Sequence, residues 1–184
     1  TGLLSGPIYQ LFKDRTGRLL AATSMGVVHM LADGTSAIVM EMPRGARGIA
    51  HDSQGQLWVT NSAGALVALT SGAPDQRGDP INGVALLRDR RGNFWVATSG
   101  NGLWVAPPGV APVAGLRRLD REAVSHPVIR ALWEDREGNV WVGTQHGLTR
   151  LTPARLAWSP AAIDRDDQPV RAVSTGGDDT LWVS

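Results

Sequence analysis

The stretch DREGNVWVGT, Asp135 to Thr144, decides how this chain is read. Alone, it is a polar turn followed by a short apolar strand. It recurs as DRRGNFWVAT from Asp89 to Thr98 and as DSQGQLWVTN from Asp52 to Asn61. DRTGRLLAAT, Asp14 to Thr23, is a fourth copy with Leu20 in place of Trp, and GGDDTLWVS closes the chain as a worn fifth. Self-similarity of this kind marks a repeat protein, and it governs every later reading.

The anchors are Leu20, Trp58, Trp95, Trp141 and Trp182, spaced 38, 37, 46 and 41 residues apart. A period of about 40 residues with several short strands per unit is that of a propeller blade, not of a helical repeat. The expected fold is therefore all-β, with blades of four antiparallel strands and about 4.5 units at that period. Units are placed at 6–44, 45–79, 80–126, 127–168 and an incomplete 169–184.

Each unit parses alike. First strands are expected at Ile8–Phe12, Gly48–His51, Val84–Leu87, Val128–Trp133 and Val170–Val173. A tight turn follows, with Asp at its start and Gly three residues on: Asp52 with Gly55, Asp89 with Gly92, Asp135 with Gly138. Asp bonds the backbone N–H groups just ahead of it, and Gly supplies the positive φ that closes the hairpin. Second strands hold the anchors at Leu19–Thr23, Leu57–Asn61, Phe94–Thr98, Val140–Thr144 and Leu181–Ser184. These are apolar on both faces, which suits sheets stacked face to face. Third strands follow at Val27–Leu31, Leu66–Leu69, Leu103–Val105 and Leu148–Leu151, and weaker fourth strands at Ser36–Glu41, Val113–Leu119 and Leu156–Ser159. No helix is expected; Leu116–Val124 lacks a 3.6-residue period. The Pro-rich connector from Ala106 to Pro127 accounts for the 46-residue spacing and is expected to be variable surface.

Charge and composition narrow the function. Lys and Arg number 18 against 17 Asp and Glu, so the basic excess that marks a nucleic-acid binder is missing. There is no cysteine, which removes disulfides and thiolate metal sites. No segment approaches the roughly 20 apolar residues that span a bilayer. The chain begins without Met, leads at once into a strand and stops inside one, so it is expected to be an excerpt of a larger protein.

Val128, Ala131–Leu132, Asp135, Gly138, Asn139, Trp141–Thr144, Gly147 and Leu148 together resemble the two-component regulator propeller repeat. The resemblance is strongest around Trp95 and Trp141, and weakest at Leu20 and before Trp182, where Gly176 and Asp179 replace the turn residues. It implies the periplasmic sensor region of a bacterial membrane signalling protein, with seven blades in a complete propeller. It further implies a homodimer in the full-length protein and a histidine kinase or diguanylate cyclase as output domain. Implied partners are further blades of the same protein and a small molecule or oligosaccharide; no cofactor is implied.

Candidate sites follow from what differs between the copies. Asp14, Asp52, Asp89 and Asp135 read as turn caps, and Trp58, Trp95, Trp141 and Trp182 as packing between blades. Eleven residues before the anchors stand Arg47, Arg130 and Arg171, with Tyr9 and Val84 in the other units. A row of guanidinium groups opening the first strands suits an anionic or hydroxyl-rich ligand, the alternative being a solvated strand start. Asn101, Trp104 and His146, in or beside the second turns, complete the candidate ligand contacts. His29, His51, His126 and His146 fall at different repeat positions, so no metal or catalytic cluster is expected. The main enzymatic alternative is a streptogramin-lyase-like propeller, with two His and a Glu around a metal. Glu is confined to Glu41, Glu122, Glu134 and Glu137. A scaffold for protein contacts is a further alternative.

Overall fold

The computed structural model describes residues 6–70, 73–76, 81–152, 155–159, 173–175 and 181–183. Four antiparallel sheets follow one another along the chain, each with its strands side by side in sequence order. The first comprises β1 (Ile8–Lys13), β2 (Leu19–Thr23), β3 (Gly26–Met30) and β4 (Ser36–Glu41). The second comprises β5 (Ala46–His51), β6 (Leu57–Asn61), β7 (Leu66–Thr70) and β8 (Ala73–Gln76). The third comprises β9 (Gly83–Arg88), β10 (Phe94–Thr98), β11 (Leu103–Ala106) and β12 (Arg117–Arg118). The fourth comprises β13 (Ile129–Glu134), β14 (Val140–Thr144), β15 (Gly147–Thr152) and β16 (Arg155–Ser159). A fifth pair, β17 (Val173–Thr175) with β18 (Leu181–Val183), completes the described strands.

A short meander arises here because every turn is specified locally. At the first turn of each sheet the Asp N–H bonds the carbonyl four residues on, and the Gly N–H bonds the Asp carbonyl. The pairs are Asp14 with Gly17, Asp52 with Gly55, Asp89 with Gly92, and Asp135 with Gly138. These glycines have φ of 88°, 90°, 87° and 80°, a conformation other residues adopt at a cost. The second turns are tied by the last residue of the second strand. Thr23, Thr98 and Thr144 donate their hydroxyls to the carbonyls of Gly26, Gly102 and Gly147, and Asn61 Oδ1 accepts from Ala63 and Ala65.

The core is divided into three layers, one between each pair of successive sheets. Leu20, Val27, Ile49 and Val59 fill the first; Trp58, Leu86, Phe94 and Val96 the second; Trp95, Leu103, Ile129 and Val142 the third. The second strand serves two layers at once, which is why Val96 and Ala97, pointing to opposite faces, are both fully buried. On the first sheet, Leu11, Leu19 and Ile38 are exposed apolar residues.

The first strands of neighbouring sheets lie against one another. Gln10 of β1 stitches them: its amide nitrogen donates to the carbonyls of Ile49 and Leu86, and its oxygen accepts from their N–H groups. At Gly48 an added Cβ would sit 2.9 Å from Leu86 N and 3.0 Å from Ala85 C, so only glycine permits this approach of β5 to β9. At the turns that end the first strands, Arg15 Nη2 donates to the Asp52 carbonyl and Arg90 Nη1 to the Arg136 carbonyl, linking one turn to the next.

Three expectations need correction. The connector after β11 holds a helical turn, Pro112–Gly115, and a 3₁₀ turn, Arg121–Ala123, where no helix was expected. Pro at the first helical positions has φ preset and needs no N–H partner, which favours that turn. The fourth strand expected over Val113–Leu119 therefore shrinks to Arg117–Arg118. Nor is the connector only surface: Val124 is buried in the third layer, and Val113 and Leu116 pack on the second. A further fourth strand, Ala73–Gln76, lay unread behind Pro74.

Replacing Gly48 by Ala should lower stability by about 1–3 kcal/mol, as overpacking does. Gln10→Ala should cost a similar amount by leaving buried main-chain groups of Ile49 and Leu86 without partners. Urea unfolding of the two variants checks both; parent-like midpoints would contradict the packing described.

Candidate functional site

The repeated Asp and Trp form one device. Asp52 Oδ2 accepts the Trp58 indole N–H at 2.8 Å, Asp89 Oδ2 that of Trp95 at 2.9 Å, and Asp135 Oδ2 that of Trp141 at 2.7 Å. The other oxygen, Oδ1, accepts the backbone N–H groups of Gln56, Asn93 and Asn139 at the end of each turn. Asn93 and Asn139 add side-chain N–H donors. In the first sheet, where Leu20 replaces Trp, Arg18 Nε takes the indole's place 2.7 Å from Asp14 Oδ2. The carboxylates of Asp14, Asp52 and Asp89 are buried and that of Asp135 is half-buried, and all four are well supplied with donors. Burial opposes ionisation of Asp135, and hydrogen bonds from Asn139 and Trp141 outweigh it, holding its carboxyl below the usual range. Asp14 is held well below that range in the same way, its donors being Thr16 and Arg18. These groups have little capacity left for a ligand. The indole bond itself was not legible in the sequence, because Asp and Trp stand six residues apart across a turn.

The residues that open the first strands behave differently. In every one of the four sheets the pairing register slips by one residue at the same place. Tyr9, Arg47, Val84 and Arg130 are the extra residues, each set between paired neighbours. This is the row that stands eleven residues before the anchors. A bulge frees its residue from the ladder and re-aims the side chain. Arg47 Cζ lies 5.2 Å from the centre of the Tyr9 ring. Its buried Nε has no hydrogen-bond acceptor among the described residues, and the ring face takes that role. Arg150 repeats the arrangement over Trp141 at 5.7 Å, also with an unbonded Nε.

A central cleft of about 780 Å³ runs along the converging first strands. Tyr9 and Arg130 line it, together with Lys13, Arg15, Arg88 and Trp133. Two titrating groups stand at or beside the strand ends. Burial and the Arg15 charge push the His51 imidazole down, and burial pushes the Glu134 carboxyl up although Arg90 N–H bonds both its oxygens.

The remaining candidates fall in other places. Asn101 lines a pocket of about 150 Å³ with Arg118, Asp120 and Pro127, and its carbonyl accepts the Trp104 indole N–H at 3.2 Å. Trp104 is half-buried and leans on the second core layer, so it is less open than expected. Arg171 lies outside the described residues, and Trp182 is placed in β18 by its backbone alone. Two of the histidines do meet: the rings of His126 and His146 are 4.2 Å apart. The connector's end is tied to two second turns: the Pro127 carbonyl accepts from Gly100 and Gly102 of the third sheet, and the Val128 carbonyl from Gln145 of the fourth. Sequence spacing across a Pro-rich loop gave no sign of this. His126 Nδ1 accepts the Val128 N–H, so the neutral ring carries its proton on Nε2. Among the described residues no group of three or more His, Cys, Asp or Glu is arranged to hold a metal ion.

Residues 75–100, which include the turn and anchor strand of the third sheet, match the family model described as two component regulator propeller. The repeat is thus recognised where the Asp89–Trp95 device sits. No curated protein sequence matches the chain. The extracellular domain of a hybrid two component system from B. thetaiotaomicron is similar in fold, with a TM-score of 0.76 and 19% identity, over 100% of this chain and 28% of that one. That of a one component system from the same organism gives 0.72 and 21%, over 99% and 27%. Virginiamycin B lyase from Staphylococcus aureus, in an inactive form with quinupristin, gives 0.71 and 11%, over 99% and 64%. The chain thus spans just over a quarter of those extracellular domains and under two thirds of the lyase. The architecture is that of a β-propeller. Among the described residues no helix is long and apolar enough to cross a membrane.

Trp95→Phe keeps an aromatic ring but removes the donor to Asp89 and part of the packed volume; it should cost at least about 1.5–3 kcal/mol, the range for bonds to charged groups. Thermal unfolding measures this, and an unchanged midpoint would show that the indole bond does not matter. The carboxyl of Asp135 is stronger in the folded chain than at the usual unfolded value near 3.9. Its stabilisation is therefore present above about pH 4 and is lost as pH falls through the folded value. Asp135→Asn should flatten the acid limb of stability against pH, and an unaltered limb would refute the assignment.

Proposed function

We propose that this chain is a non-catalytic, ligand-sensing stretch of β-propeller in the periplasmic part of a bacterial transmembrane signalling protein. In this reading it passes ligand state to a cytoplasmic output domain. The repeat match at residues 75–100 and the fold likeness to extracellular domains of signalling systems support the setting. One observation carries the functional part. The acidic and indole groups that recur in the repeats are spent on one another, while Arg130 at its bulge and Lys13 and Arg88 along the cleft are exposed. That arrangement suits holding a small molecule or oligosaccharide rather than moving protons. The ligand would act by its differential affinity for two arrangements of a dimeric sensor. A further blade of the same protein would cover Leu11, Leu19 and Ile38.

The lyase reading has one observation in its favour, the pair of rings at His126 and His146. It also needs a nearby carboxylate and a metal. Binding metal through His126 Nε2 would displace that ring's proton to Nδ1 and break the bond from Val128 N–H.

The two readings separate in one experiment. Thermal unfolding is followed against a panel of neutral and acidic oligosaccharides, sugar acids and small metabolites, with and without chelator. The sensor reading predicts that a member of the panel stabilises the chain, by about 2.7 kcal/mol at a hundredfold excess over Kd, with no chelator effect. Chelator-sensitive breakdown of quinupristin would instead establish the lyase.

A further inference from the structure

We infer that the ligand of this propeller carries a carboxylate, and that Arg130, delivered by a β-bulge to the central cleft, receives it together with Arg47, which stacks on the cleft residue Tyr9. The inference rests on the sensor reading above and names the chemistry of its ligand.

Three observations lead to it. The first is placement. A bulge costs ladder hydrogen bonds and turns a side chain out of the sheet. It recurs at one position in all four first strands, and two of the four bulged residues are arginines. The second is convergence. Tyr9, Val84 and Arg130, bulged residues of three sheets, line the same cleft, and Arg47 stacks on Tyr9 beside it. The third is charge. Among the described residues no hydrogen bond or ion pair holds the side chain of Arg47 or Arg130. Lys13, Arg15 and Arg88 add positive charge along the cleft walls. The one carboxylate in the lining, Asp14, is already held by Thr16 and Arg18. A cleft lined by one sign of charge concentrates ligands of the other sign.

The class of anion follows from the groups present. A guanidinium fork matches two oxygens in a plane, which is the shape of a carboxylate. Tyr9 and Trp133 give the cleft flat aromatic surface, and its volume admits a ligand of a few rings. A sugar acid meets both requirements: its carboxylate faces the arginines and its ring lies on the aromatic wall.

Calorimetric titration with galacturonate and glucuronate tests this, with galactose, acetate and inorganic sulfate as comparison arms. The uronates should bind saturably, and more weakly as salt is raised. Arg130→Gln and Arg47→Gln should each weaken them roughly tenfold to a hundredfold. Arg130→Lys, which keeps the charge and loses the fork, should weaken them less. Arg118→Gln, on the outer strand β12, should change nothing. Acetate and galactose should each bind at least about tenfold more weakly than the uronates, since each lacks one of the two contacts. Arg130 is exposed, so its variants should keep the parent's melting temperature. Absence of saturable uronate binding overturns the inference, as does binding unchanged by Arg130→Gln, or an equal loss in Arg118→Gln. If neutral oligosaccharides stabilise the chain while uronates do not, the anionic ligand is wrong and the sensor reading stands. If nothing in either panel binds, both fall.

Discussion

The structure depends on a buried carboxylate that cannot be left unsatisfied. In each blade an Asp at the first turn is withdrawn from water, which is costly unless hydrogen bonds replace the lost solvent. The turn supplies backbone N–H groups to one oxygen, and the next strand supplies an indole N–H to the other. The same carboxylate therefore shapes the hairpin and orients the Trp that fills the layer between blades. Local and tertiary structure are set by one group. The first blade shows that the requirement is for a donor rather than for Trp, since Arg18 meets it where Leu20 cannot.

Function is left to residues that this device does not use. Each blade packs chiefly on its neighbours, so the chain behaves as a stack in which contacts are short-range. Two features cross that pattern. Gln10 reaches the first strands of the next two blades, and the glycine at position 48 lets those strands approach. Together they hold the first strands side by side and bring the bulged Tyr9, Val84 and Arg130 into one cleft. Tyr9, Arg47, Val84 and Arg130 then vary freely in chemistry while their backbone position stays fixed. That is a suitable way to change what a repeat protein recognises without changing its fold.

Much of this was legible in the sequence, and the reasons are physical. Second strands at Leu19–Thr23, Leu57–Asn61, Phe94–Thr98 and Val140–Thr144 were read with their observed ends, because an Asp-x-x-Gly turn before them and a Thr or Asn after them punctuate each one. The arginine row follows from counting, yet counting cannot reveal that Arg47 and Arg130 are bulged. Bulges are a matter of register between strands, and register depends on both partners. Pro74 hid a strand because an edge strand tolerates proline where a central one does not. His126 and His146 are 20 residues apart, and only the return path of a Pro-rich connector brings their rings together.

The central claim is a division of labour: the Asp–Trp devices build the blades, and the bulged row meets the ligand. Heteronuclear NMR reads both sets of N–H groups in one titration with galacturonate. The indole signals of Trp58, Trp95 and Trp141 should stay in place and exchange slowly, while the Nε–H signals of Arg47 and Arg130 shift to saturation. Large shifts at the three indoles, with the two arginine signals unmoved, would contradict it.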